Sequence, residues 1–151
     1  DLMKLIPDKK SYIAGQDNTQ YARKIKERIQ KEEISNVELV GKISNEERIW
    51  LYKNCTAFLF PSLFEGFGLP VIEAMQFGKP VFSSKETSLK EIGQGYAYFW
   101  DSFEPAYMKK IIDENLEAFY ESPELQQREM EYARTFSYGR NIESYFQLYL
   151  S

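Results

Sequence analysis

The chain has 151 residues, 43% hydrophobic and 28% charged, with a net charge of −4, which suits one domain and excludes bulk disorder. It contains no histidine and one cysteine, Cys55, so Ser-His-Asp catalysis, imidazole acid–base chemistry, an internal disulfide and almost every zinc site are ruled out, and a reducing compartment fits. The acidic balance argues against a nucleic-acid partner, and neither a signal peptide nor a transmembrane helix is expected from a charged opening and the absence of an 18-residue apolar run.

Strands alternate with helices along the chain. Ser11-Tyr-Ile-Ala14, stopped by Gly15, reads as a buried strand, and Asp17 or Asn18 can cap a helix running to Lys31. Its apolar residues Tyr21, Ala22, Ile25 and Ile29 share one face. Residues 37–40 form the next strand, ended by Gly41; Ser44 and Glu47 then form a capping box opening a helix over 46–54. Ala57-Phe-Leu-Phe60 is a third strand, broken by Pro61-Ser62. After a loop, Pro70 sits where a helix should start, and that helix ends near Gly78. Pro80-Val-Phe-Ser83 is a fourth strand, Ser88 and Glu91 repeat the capping pattern, and residues 96–99 form an amphipathic edge strand. Beyond Asp101 only helices follow, over 104–120, from Ser122-Pro123, and over 138–150. Such alternation predicts an α/β fold, a Rossmann-like doubly wound parallel sheet with C-terminal helices. Ligands in such sheets bind at the carboxyl ends of the strands, where Gly15, Gly41-Lys42, residues 62–69 and Ser83-Ser84 fall.

The segment Glu65-Gly-Phe-Gly-Leu-Pro-Val-Ile-Glu73-Ala-Met carries the chemistry. Gly66 and Gly68 let the backbone approach a ligand closely, and the first-turn amides of the following helix attract a phosphate. Two carboxylates flank that anion site. Both cannot sit against a diphosphate, so each is aimed at hydroxyls instead, each such charge-assisted bond contributing roughly 1.5–3 kcal/mol. A diphosphate between two polyhydroxyl groups, a nucleotide sugar, meets all three demands.

The segment resembles the Glu-x7-Glu motif of the GT-B-fold, group 1 (family 4) retaining glycosyltransferases. Tyr12-Ile-Ala-Gly15, Val40-Gly41-Lys-Ile-Ser44, Phe58-Leu-Phe-Pro-Ser62, Gly78-x-Pro80-Val81, Ser88-Leu-x-Glu91 and Phe136-Ser-Tyr138 look like successive landmarks of the family's C-terminal domain, so the likeness spans residues 1–151. It implies that Glu73 holds the nucleotide ribose and that Glu65 acts catalytically at the donor sugar. The backbone of Gly66, Phe67, Gly68 and Leu69 meets sugar and phosphate; Lys42 and Ile43 line the base site, and Ser62 belongs to the donor site. The donor is a GDP-, UDP- or ADP-sugar, a mannosyl or glucosyl donor first, with no metal and no other cofactor. The acceptor, a glycan or a lipid-linked glycan, is held by an N-terminal domain not present in these residues. The parent protein is expected in the cytoplasm, and peripheral association with the inner face of the plasma membrane is compatible with that. Cys55 has no catalytic partner and reads as a packing residue.

In the family the domain opens with a strand and a basic loop that grips the diphosphate, whereas this chain starts inside the next helix, at Asp1-Leu-Met-Lys-Leu. The 151 residues alone are therefore expected not to turn over. In the order 3-2-1-4-5-6 that strand separates Ser11–Ala14 from Ala57–Phe60, two apolar runs suited to full burial. Three outcomes are expected: the strand comes from outside these residues, a partner copy supplies it, or the two edges close on each other. Three rival readings share the pattern: an epimerase or phosphorylase on the same fold, a glycoside hydrolase using the two carboxylates, and a non-catalytic nucleotide-binding module.

Overall fold

A computed structural model of the chain describes residues 1–136; the helix expected over 138–150 and the landmark at Tyr138 lie outside them. After a 3-10 turn at Leu2–Leu5, strands β1 (Ser11–Ala14), β2 (Val37–Gly41), β3 (Phe58–Phe60), β4 (Val81–Ser84) and β5 (Tyr98–Trp100) alternate with helices. These are α1 (Gln20–Lys31), α2 (Asn45–Asn54), α3 (Leu69–Gln76) and α4 (Leu89–Ile92); α5 (Pro105–Tyr120) and α6 (Pro123–Arg134) follow the last strand. All three strand pairings are parallel, as the alternation requires.

Helix starts follow local chemistry. Ser44 and Glu47 form the full reciprocal capping box on α2. Pro105 and Pro123 open α5 and α6 behind Glu104 and Ser122, whose side chains accept backbone N–H groups. Two expected caps differ. Thr19, not Asp17 or Asn18, caps α1, because the Asp17 carboxylate is engaged by Lys26 at 2.7 Å. Ser88 makes no cap on α4; its hydroxyl is spent elsewhere, as described below.

The strands form two sheets, β1-β2 and β3-β4-β5. In the larger one the period-2 alternation serves both faces. Val81, Phe58 and Phe60 pack with Val71, Ile72, Met75 and Leu89 of α3 and α4 and with Ala133 of α6. Phe82, Leu59 and Trp100 pack with Met108 and Ile112 of α5. Helices thus cover both faces of the β3-β4-β5 sheet, and β5 is its edge, as expected.

The smaller sheet departs from expectation. β1 pairs only with β2, and β3 only with β4, so the two edges have not closed on each other. Nor is β1 buried: Tyr12 and Ile13 are 47% and 41% exposed, because beyond β2 little among the described residues packs against β1. On α1, Ala22 is the one fully buried side chain, and Tyr21 points into solvent at 74% exposure. Among the described residues no helix is long and apolar enough to cross a membrane.

Candidate functional site

The site is built where β3 runs out and α3 begins. Pro61 breaks β3, and Gly68 takes φ +96°, a left-handed value open to glycine. A Cβ at Gly68 would meet Leu89 Cδ2 at 2.7 Å, so α3 packs directly on α4 at this point. Pro70 is the second residue of α3 and brings no donor. The Val71 N–H turns back onto the Gly68 carbonyl at 3.0 Å. The backbone N–H groups of Gly66, Phe67, Gly68 and Leu69 have no partner among the described residues. A short run of free amides thus lies at the positive end of α3's dipole, a place suited to anionic oxygen.

Carboxylates lie at both ends of that run. Glu73, just over one turn into α3, is half-buried and held from α2: the Tyr52 hydroxyl donates to its Oε2 at 3.1 Å, and Arg48 lies 3.3 Å from its Oε1. Burial first, and then the Glu73 charge, push the Tyr52 phenol far above its ordinary range, so it stays a donor. Glu65 is fixed by different means. Ser62 Oγ donates to its Oε1 at 2.9 Å, and its backbone is bonded to the hydroxyls of Thr87 and Ser88 in the loop after β4. The Ser62 carbonyl accepts from Ser84 Oγ, and the Phe60 carbonyl accepts from Ser83 Oγ at 3.3 Å. Two fully buried serines of β4 therefore fix the exit of β3.

Lys42 and Ile43 follow β2, beside Gly41, whose left-handed φ of +73° leaves room for the Asp17 carboxyl. Lys42 is exposed, Ile43 half-buried, and neither bonds to Glu65 or Glu73 among the described residues. The connection between the two regions is α2: Ser44 caps it directly after Ile43, and its Arg48 and Tyr52 reach Glu73. The structure thus joins Ser62 to Glu65 and sets residues 66–69 between Glu65 and Glu73 at the start of α3, while Lys42 and Ile43 lie at the neighbouring sheet's carboxyl end.

A family model for glycosyl transferases, group 1, matches residues 1–136. The chain belongs to the group 1 glycosyltransferases. The serotype-specific mannosyltransferase WbdA of Escherichia coli is 35% identical over 88 residues, 57% of this chain and 11% of that protein. The O-antigen chain mannosyltransferase B of Escherichia coli is 43% identical over 56 residues, 37% of this chain and 15% of that protein. The chain therefore spans only a small part of the length of these curated relatives. The fold matches sucrose-phosphate synthase from Thermosynechococcus elongatus with a TM-score of 0.83 at 24% identity, over 98% of this chain and 39% of that one. That likeness supports the Rossmann-like fold expected from the strand–helix alternation and the GT-B assignment that the motif resemblance implied.

In this glycosyltransferase chain, sequence reasoning passed over Arg48, Tyr52 and Thr87 as site residues. Arg48 and Tyr52 fall four apart on α2 and so share a face, a spacing that suggests a joint role once α2 is placed beside α3. Nothing local marks Thr87. Cys55 ends α2 half-buried, its thiol pushed up by burial, as suits a packing residue.

Proposed function

We propose that these residues are the donor-binding domain of a hexosyltransferase that takes a nucleotide-diphosphate sugar, a mannosyl donor first, and transfers the hexose with retention to a glycan or lipid-linked acceptor held by another part of the protein. The observation that carries this reading is the run of unpartnered amides at Gly66, Phe67, Gly68 and Leu69 with a fixed carboxylate at each end. Glu73, steadied by Tyr52 and Arg48, accepts the ribose hydroxyls. Glu65, steadied by Ser62, faces the sugar beside the reacting carbon. As the anomeric C–O bond opens, charge builds on the leaving diphosphate, and the free amides at the start of α3 meet it; stabilising such charge is usually the largest contribution to a rate enhancement. Lys42 and Ile43 line the nucleobase. The two mannosyltransferase relatives make GDP-mannose the first donor to test, before UDP- and ADP-sugars. The reaction takes place in the cytoplasm, with the parent able to rest on the inner membrane face near a lipid-linked acceptor.

The test uses the full-length protein. Glu73→Gln replaces a charge-assisted acceptor and is expected to raise the dissociation constant for GDP, measured by calorimetry, about 10-fold or more. Glu65→Gln is expected to depress kcat with GDP affinity within about threefold of wild type. Near-wild-type kinetics and binding in both variants would refute the reading.

A further inference from the structure

Thr87, in the loop between β4 and α4, has a φ of +52°. For a β-branched residue the left-handed region is a genuine outlier. Only one other non-glycine residue among those described has a positive φ, Glu33 in the turn after α1.

The contacts of Thr87 explain what its conformation serves. The Glu65 N–H donates to Thr87 Oγ1 at 3.1 Å, and the same hydroxyl donates to the Glu65 carbonyl at 3.0 Å. One side chain, 22 residues away in sequence, thus takes both polar backbone groups of Glu65. Ser88 Oγ adds a second donor to that carbonyl at 3.2 Å. A carbonyl oxygen has two lone pairs, and both are now used. This matters for α3, because the Glu65 carbonyl is the group the Leu69 N–H would take if the helix wound back one more turn. With that carbonyl occupied, α3 begins at Leu69, and the amide run ahead of it stays unspent.

We infer that Thr87 is a positioning residue of the transfer reaction, its hydroxyl pinning the Glu65 main chain so that the Glu65 carboxylate stays aimed at the donor sugar and the amides of residues 66–69 stay open to it. This rests on the reading of Glu65 as the sugar-facing carboxylate. The left-handed backbone at Thr87 is what lets one hydroxyl reach both groups, and the two bonds are what hold it there.

The experiment compares Thr87→Val, Thr87→Ser, Thr87→Gly and Glu65→Gln in the full-length protein. Each is assayed for kcat and KM with the donor that wild type uses best among GDP-mannose, UDP-glucose and ADP-glucose. Affinity for the matching nucleoside diphosphate and melting temperature are measured alongside. Thr87→Val, which keeps the shape and loses the hydroxyl, is expected to lower kcat about 10- to 100-fold with nucleotide affinity within about threefold. Thr87→Ser keeps the hydroxyl and is expected to stay within about threefold of wild type in kcat. Thr87→Gly relieves the backbone but loses the hydroxyl and both its bonds, so its melting temperature should equal or exceed that of Thr87→Val while its kcat falls with that of Thr87→Val. That divergence separates positioning from simple structural support, and it carries the test should the valine variant fold poorly. A glycine variant that recovers wild-type kcat would overturn the inference. So would a valine variant of normal kcat beside a crippled Glu65→Gln, and there the assignment of Glu65 itself would survive. Normal turnover in Glu65→Gln would remove that assignment and this inference together.

Discussion

Glu129 lies on α6 with no exposed surface, and neither carboxylate oxygen has a hydrogen-bond partner among the described residues. Burial pushes its pKa from 4.5 up to about 9, so the folded chain carries it as a neutral acid at pH 7, while the unfolded chain ionises it in water. The folded state therefore binds the proton more tightly, and stability must fall as pH rises from about 4.5 toward 9. Each pH unit in that window costs about 1.4 kcal/mol, so moving from pH 5 to pH 8 removes about 4 kcal/mol, a large share of a domain's net stability. Glu129→Gln keeps the shape and cannot ionise. Urea unfolding of the 151-residue chain, wild type against Glu129→Gln at pH 5, 6, 7 and 8, reads the difference directly. The variant is expected to gain on wild type steadily as pH rises, with the two converging near pH 5. Parallel pH profiles, or a variant that is increasingly worse above pH 6, would mean that the folded protein holds Glu129 ionised against a cation, and the reasoning would be refuted.

Two further predictions follow from the site. Gly68→Ala forces a side chain into φ +96° and against Leu89, which should cost roughly 2–4 kcal/mol, seen as a lowered melting temperature together with weaker nucleotide binding; an unchanged melting temperature would contradict the close packing of α3 on α4. Transfer by the full-length protein is expected to persist in EDTA, since the proposed donor site sets the amides at the start of α3, and no metal, against the diphosphate; complete loss on chelation with recovery on Mn²⁺ or Mg²⁺ would show that a cation does this instead.

Much of the fold and the heart of the site were legible because their signals are local. Glycine spacing, Pro70 and the paired glutamates sit within nine residues, and the strands flanking them are short apolar runs with clear stops. Long-range contacts explain what was not legible. Ser44-x-x-Glu47 and Ser88-x-x-Glu91 are the same pattern, yet only the first is a capping box, because the Ser88 hydroxyl is drawn to the carbonyl of Glu65, 23 residues away. Asp17 is displaced as a cap by its bond to Lys26. Thr87 is a residue type that argues against a left-handed backbone, and only tertiary bonds place it there. The exposure of Tyr12 and Ile13 escaped the pattern for a related reason: an apolar run reports what a strand is suited to, and burial depends on what lies beside it.

The uneven burial of the two sheets has an evolutionary consequence. Both apolar clusters belong to the β3-β4-β5 side, whereas Ala22 is the one apolar side chain of β1, α1 and β2 that is fully buried. Core substitutions commonly cost several kcal/mol, while exposed ones usually change stability by less than about half of one. Among the described residues, mutations on the buried face of α3 are thus filtered harder than those on β1, α1 and β2, the side that leads into Lys42 and Ile43. If those residues read the base, as proposed, the choice of nucleotide sits where the described residues hold the chain less tightly than they hold the helix that carries Glu73.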